Sequence, residues 1–242
     1  MTEGKKVLVF DVDDTIYDLM WSFQMAYEKI LAGRACVSCE VLFEKSRIFS
    51  DIVLEKEKQG LVLPEEAFYL RMKMACEDVG ISITREESDA FEKEYRYYQT
   101  KIEPFDYMEE VLDYCKKMQI RRAVLTNGNR RAQGRKLSAL RLERWFDADR
   151  MFISGEIGYH KPNVRAFQTV QDRLAVPDAD IWYIGDTYEN DIAGAHHAGW
   201  HTIWLNHRKR RCPDAVSLAD RELTCGREVL PVIKMIFTNQ GM

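Results

Sequence analysis

Five short apolar runs punctuate the chain, and small or polar residues follow each. Val7–Phe10 runs into Asp11-Val12-Asp13-Asp14-Thr15, and Ala123-Val124-Leu125 into Thr126-Asn127-Gly128. Met151-Phe152-Ile153 runs into Ser154-Gly155, Ile181–Ile184 into Gly185-Asp186, and Thr202–Leu205 into Asn206-His207. Runs this short and this continuously apolar predict strands buried on both faces. Helical spacing fills the gaps between the later ones, over Asp106–Met118, Arg130–Leu140, Asn163–Leu174 and Asp191–Ala198. Strands alternating with helices predict an α/β fold with a mostly parallel sheet covered on both faces.

From about Ile16 to Glu103 the rhythm changes. No buried strand is visible there, and breaks fall at Gly33, at Gly60 to Pro64 and at Gly80. Met20, Phe23, Met25, Tyr27, Ile30 and Leu31 give one apolar stripe, and Phe91, Tyr95 and Tyr98 another. Residues 16–103 therefore read as a helical insertion in an α/β core made of 1–15 and 104–242. Arg227–Phe237 reads as a closing helix, with Pro231 either kinking it or marking its first turn.

Composition narrows the function. With 46% hydrophobic residues among 242, the chain has the material for a real core. The 35 Lys and Arg against 39 Asp and Glu give a net charge of −4, which argues against a nucleic-acid-coating protein. No apolar run approaches the length of a membrane span, and no secretory leader is visible at Met1 to Lys6. The six scattered cysteines read as reduced thiols of a cytoplasmic protein.

In parallel sheets, ligands bind beyond the carboxyl ends of the strands. The residues there are Asp11, Asp13, Asp14 and Thr15, then Thr126, Asn127 and Gly128, then Asp186, Glu189, Asn190 and Asp191, with Lys161-Pro162 in a loop before a helix. Carboxylates gathered at one edge repel one another unless a cation joins them. With no His or Cys cluster among them, the donor set suits a hard divalent ion, Mg²⁺. This chemistry points to phosphoryl transfer. Asp11 attacks phosphorus, and Lys161 with the metal offsets the repulsion. Asp13 protonates the leaving oxygen and later activates water. Thr126 and the amides near Asn127 and Gly128 hold the non-bridging oxygens.

At this point the chain resembles the haloacid dehalogenase (HAD) superfamily, in its phosphatase branch with a helical cap. Asp11-Val12-Asp13-Asp14-Thr15 is similar to the DxDxT motif, Leu125-Thr126-Asn127-Gly128 to the second motif, Lys161-Pro162 to the third, and Gly185-Asp186-Thr187 to Asn190-Asp191 to the acidic fourth. The resemblance implies a Rossmann-like three-layer core with the insertion as a C1-type cap that closes over the site and selects the substrate. It implies Asp11 as nucleophile and metal ligand, the Asp13 carbonyl and Asp186 as further ligands of Mg²⁺, and Asp191 in support of the metal or of Lys161. Asp14, where the family often has Gly, reads as a departure of little consequence. The runs Gly185–Gly199 and Trp204-Leu205-Asn206 look most like the pyrimidine 5′-nucleotidases.

The expected activity is thus Mg²⁺-dependent phosphomonoester hydrolysis through an aspartyl-phosphate, on a small phosphorylated metabolite such as a nucleoside 5′-monophosphate. Sugar phosphates, phosphoglycolate and phosphoglucomutase-like transfer are the alternatives within the fold. A halide-releasing dehalogenase has no need of Asp13. A receiver-type signalling module needs about half this length, and a binding protein that lost catalysis is the remaining alternative. Neither nucleic acid nor membrane is an expected partner, and the chain is a monomer or homodimer. Cys36-Val37-Ser38-Cys39 reads as cap thiols, His160 as a loop residue beside Lys161 that is mostly exposed, and Trp21 as a residue that can face the cleft. The basic run His207 to Arg211 reads as a solvated loop.

Overall fold

Val7-Leu8-Val9-Phe10 forms strand β1 (Val7–Phe10), and all four side chains are buried. A strand covered on both faces has no solvent side, so its sequence is apolar without alternation. The computed structural model describes residues 6–33, 37–176 and 180–238. Two compact units divide the chain: Met1–Asp18 together with Glu103–Met242, and Leu19–Ile102.

The second unit is built of four helices, α1 (Leu19–Ile30), α2 (Cys39–Lys58), α3 (Pro64–Asp78) and α4 (Arg85–Tyr98). Local chemistry sets their starts. Ser38 accepts from the Val41 N–H, Pro64 occupies the first position of α3 where a missing N–H costs nothing, and Thr84 and Glu87 form a reciprocal capping box. α1 packs on α4, and α2 on α3. Phe23 lies among them, with the rings of Phe91, Phe43 and Tyr95 at 4.9, 5.4 and 6.2 Å. The inner stripe of α1 is Leu19, Ser22, Phe23 and Ala26, whereas Met20, Met25 and Tyr27 are half-buried. The stripe read from sequence had combined two faces of the helix. Tyr98 and Trp21 meet edge-on at 5.8 Å, both half-buried. Burial pushes the Cys39 thiol up to about 12, which keeps it protonated; Cys36 lies outside the described residues.

The first unit continues with α5 (Asp106–Lys117), β2 (Arg121–Thr126), α6 (Arg130–Ala139), β3 (Met151–Ile153), α7 (Ser154–Ile157), α8 (Val164–Leu174), β4 (Ile181–Gly185), α9 (Gly194–His197), β5 (His201–Leu205), β6 (Arg221–Leu223) and α10 (Val229–Thr238). Its six strands lie in the order β3-β2-β1-β4-β5-β6, and every neighbouring pair is parallel. The chain steps outward from β1 to β3 and then returns to the other side of β1 as β4. That reversal opens a crevice at the carboxyl ends of β1 and β4. Phe10 is in register with Val124 and Ile184, so the residues that follow all three strands emerge at one edge.

Val7 and Val9 join Ala123, Leu125 and Tyr183 on one sheet face, under Phe167, Val170 and Leu174 of α8. On the opposite face Phe10 meets Phe146 edge-on at 5.9 Å. The Phe105 N–H donates to the Ile16 carbonyl at 2.9 Å, so the chain re-enters this unit beside the point where it left. Pro231 is the third residue of α10 and marks its first turn. After β4 the expected helix over Asp191–Ala198 is instead a wider π turn, Tyr188–Ala193, followed by the short α9. β6 was not expected; Arg-Glu-Leu carries no apolar run, as suits a short strand at a sheet edge. Among the described residues no helix is long and apolar enough to cross a membrane.

Candidate active site

Lys161 is the hub of the crevice. Its Nζ donates to Asp11 Oδ1 at 2.6 Å, to Asp191 Oδ1 at 2.6 Å and to the Tyr183 hydroxyl at 2.8 Å. Those are all three hydrogens an ammonium has. The lysine is buried, and burial works against its charge, but the carboxylates of Asp11 and Asp191 outweigh this and hold its pKa above the usual range. Its backbone is fixed as firmly. The Asn127 side chain accepts from the Lys161 N–H and donates to the Lys161 carbonyl, both at 2.9 Å.

Asp11 directly follows β1 and is buried. Burial raises its carboxyl, Lys161 pulls it back, and Asp191 and Asp13 push it up again, so its pKa stands at about 7. Its Oδ2 is the freer oxygen, and among the described residues it accepts from the Thr15 hydroxyl at 3.5 Å. Asp186 follows β4, and its carboxyl lies well above the ordinary range because of burial first and the charges of Asp14, Asp191 and Asp11 next. Asp11, Asp186 and Asp191 each offer an oxygen within 4.8 Å of the others, and among the described residues no other trio of His, Cys, Asp or Glu does so. Three buried carboxylates face two cations, Lys161 on Asp11 and Asp191 and Arg210 on Asp186, and so are short of one positive charge. The oxygen-only donor set fits a hard divalent cation and does not suit a thiophilic one.

The neighbouring strand ends complete the pocket. Thr126 closes β2, and its buried hydroxyl has no hydrogen-bond partner among the described residues. Asn127 and Gly128, expected to offer amides to a substrate oxygen beside Thr126, also have partners within the protein. The Asn127 side chain holds Lys161, and the Gly128 N–H donates to Ser154 Oγ at 2.9 Å. Ser154 Oγ also lies 2.7 Å from His160 Nδ1, so His160 is half-buried and hydrogen-bonded rather than an exposed loop residue.

Asp13 is held by residues the sequence reading passed over. Lys136 Nζ reaches both its oxygens at 2.7 Å, the Tyr17 hydroxyl donates to Oδ1 at 2.6 Å, and Gln133 Nε2 donates to Oδ2 at 3.2 Å. Gln133 and Lys136 sit three residues apart on α6 and so share a face. Tyr183, on β4, reads in sequence as core, yet its hydroxyl joins Lys161 to the Leu125 carbonyl.

Two expectations need correction. Asp14 is not a neutral replacement for glycine. It sits at φ 62°, where glycine is at home and Asp is tolerated, and its buried carboxylate is ion-paired to Arg208 through two nitrogens. The basic run is not simply a solvated loop either. His207 Nε2 lies 2.9 Å from the Asp14 carbonyl, Arg208 also reaches Asp18 at 2.9 Å, and Arg210 Nη1 reaches Asp186 Oδ2 at 3.1 Å. The charge run was legible; its acidic targets, far away in sequence, were not.

Comparison with known proteins gives the same picture. The family model for haloacid dehalogenase-like hydrolases matches residues 5–199. The glyceraldehyde 3-phosphate phosphatase of Methanopyrus kandleri is 23% identical over 232 residues, covering 95% of this chain and 97% of that protein. Pyrimidine 5′-nucleotidase YjjG of Escherichia coli is 35% identical over 95 residues, 39% of this chain and 41% of that one. In structure, the magnesium-bound HAD hydrolase YfnB of Bacillus subtilis aligns with a TM-score of 0.69 at 21% identity, over 97% of this chain and 99% of that one. With the family model spanning most of its length and its acidic motifs at the ends of β1 and β4, this chain belongs to the haloacid dehalogenase-like hydrolases.

Proposed function

We propose that the chain is a Mg²⁺-dependent phosphomonoesterase that works through a phosphorylated Asp11. The observation that carries this reading is the buried trio Asp11, Asp186 and Asp191, two of whose members share Lys161. Asp11, Asp186 and the Asp13 carbonyl would hold the ion, with Asp191 behind them steadying Lys161. When bound, Mg²⁺ supplies positive charge that lets an anionic phosphate approach a carboxylate. The magnesium in YfnB, a protein of the same fold, supports that choice of ion.

The protein's own groups then divide the work. Asp11 attacks phosphorus as the bond to the leaving oxygen breaks, and Asp13 gives that oxygen its proton. Asp13 next takes a proton from water, the water oxygen attacks the phosphoryl group, and inorganic phosphate leaves as the Asp11 carboxylate is restored. Lys136 offsets the charge on Asp13 between these steps. Lys161 keeps one Asp11 oxygen fixed and lessens its repulsion of phosphate. The Thr126 hydroxyl, which has no partner among the described residues, donates to a non-bridging oxygen, with the amides near Asn127 and Gly128 beside it. The helical insertion serves as the cap that selects the substrate.

A small phosphorylated metabolite is the substrate class. A nucleoside 5′-monophosphate is our first choice, supported by the local likeness to YjjG. A triose or sugar phosphate is the second, supported by the full-length likeness to the M. kandleri phosphatase. The test is phosphate release from a panel of both classes, with Mg²⁺ and with chelator, for the parent and Asp11→Asn. Release that requires Mg²⁺ and drops at least a thousandfold in the variant is expected. Equal release by Asp11→Asn overturns the mechanism.

A further inference from the structure

Arg210 is paired with one of the acidic residues placed above around the ion. Asp186 has two carboxylate oxygens. Oδ1 accepts from the Thr187 hydroxyl at 3.2 Å, and Oδ2 is paired with Arg210 Nη1 at 3.1 Å. The same guanidinium lies 3.8 Å from Asp14 Oδ2, so it bridges two buried carboxylates. The other carboxylates already have cations. Lys161 serves Asp11 and Asp191, and Arg208 serves Asp14 and Asp18. Arg210 is what neutralises Asp186.

The two arginines differ in how they are held. Arg208 is 25% exposed and grips Asp14 through two nitrogens, whereas Arg210 is 43% exposed and makes a single close contact. The backbone around Arg210 is clamped independently of its side chain. Asn206 Oδ1 accepts from the Arg210 N–H at 2.8 Å, and Asn206 Nδ2 donates to the Arg210 carbonyl at 2.9 Å. The guanidinium can therefore swing into solvent without unravelling the loop.

We propose that Arg210 is a built-in counter-cation that competes with the divalent ion for the charge of Asp186, so that metal binding loosens its side chain from Oδ2. It is a positioning residue: it keeps the acidic edge assembled while no metal is bound, and it lowers the affinity for the metal that replaces it. The proposal rests on the metal-dependent reading above. Arg208 is the fixed anchor and Arg210 the exchangeable partner.

The experiment is Mg²⁺ titration by calorimetry of the full chain, with melting in chelator alongside, for the parent, Arg210→Gln and Arg210→Lys. Removing one positive charge a few ångströms from the ion is expected to tighten Mg²⁺ binding by about tenfold. The Gln variant should also melt lower than the parent in chelator and gain more from added Mg²⁺. Arg210→Lys, which keeps the charge, should stay within about threefold of the parent in affinity, and it guards against a mere loss of packing. Equal or weaker Mg²⁺ binding by Arg210→Gln overturns the proposal and leaves the metal reading intact. Unchanged affinity with a raised KM would assign Arg210 to substrate instead and likewise overturn it. An absence of Mg²⁺ binding in the parent and in both variants removes the metal reading and this proposal together.

Discussion

Asp11 is under opposing demands. In the proposed mechanism Asp11 attacks phosphorus and must be ionised, yet burial favours its neutral form. Lys161 reconciles these only in part, since the carboxyl still stands at about 7 against an ordinary 3.8. The sign of the effect on stability follows. A carboxyl raised on folding contributes most when protonated in both states, below about pH 4, and that contribution is lost as pH rises through about 7. Asp186 is shifted in the same direction. In chelator, the parent should therefore lose melting temperature between pH 5 and pH 8 more steeply than Asp11→Asn. At pH 8 the variant should melt higher, by about 2–4 °C for each ~1 kcal/mol of relieved repulsion. Parallel curves for the two proteins would show that Asp11 is not the strained group. A less active variant that is the more stable one is the usual relation at a site assembled from like charges.

At the scale of elements, the strand ends carry the chemistry and the turns after them set its geometry. Gly185, the last residue of β4, illustrates this. A Cβ there would lie 2.5 Å from the Asp191 carboxyl, which folds back from the π turn to accept the Thr187 N–H at 3.0 Å. Gly185→Ala should push Asp191 off Lys161 and cut turnover at least tenfold, with the far-UV circular dichroism unchanged. Parent-like turnover would mean that the position of Asp191 is unimportant. The same scale shows what sequence could reveal. The five apolar strands and the motifs after them were legible, because a buried parallel strand is apolar along its whole length. β6 was not, because three residues with two charges carry no periodic signal. Lys136, Gln133 and Tyr183 were hidden in a helix and a strand whose patterns are those of ordinary elements. Their roles depend on which loop the fold sets against them. For the same reason Asp14 looked like an idle substitution until Arg208, almost two hundred positions away, was found upon it.

For the molecule as a whole, the hydrogen bond between Phe105 and Ile16 is the feature with the widest reach. The chain leaves the sheet unit and returns to it at neighbouring points, and the hydrogen bond that joins them lies in that unit. Replacing Leu19–Ile102 with a short Gly-Ser linker should thus leave the remaining unit folded, with cooperative urea unfolding and native-like amide dispersion in NMR. A molten, non-cooperative product would show that the sheet unit depends on the insertion for its core. There is also an entropic consequence. If the insertion unfolded while the sheet stayed intact, its free segment would be a loop of about 90 residues with its ends pinned. Closing such a loop costs roughly 2–3 kcal/mol more than closing a linker of about six residues, since the cost grows with the logarithm of length. An ordered insertion spares the sheet that cost. The helical segment therefore stabilises its host even without touching it, simply by keeping its own two ends together.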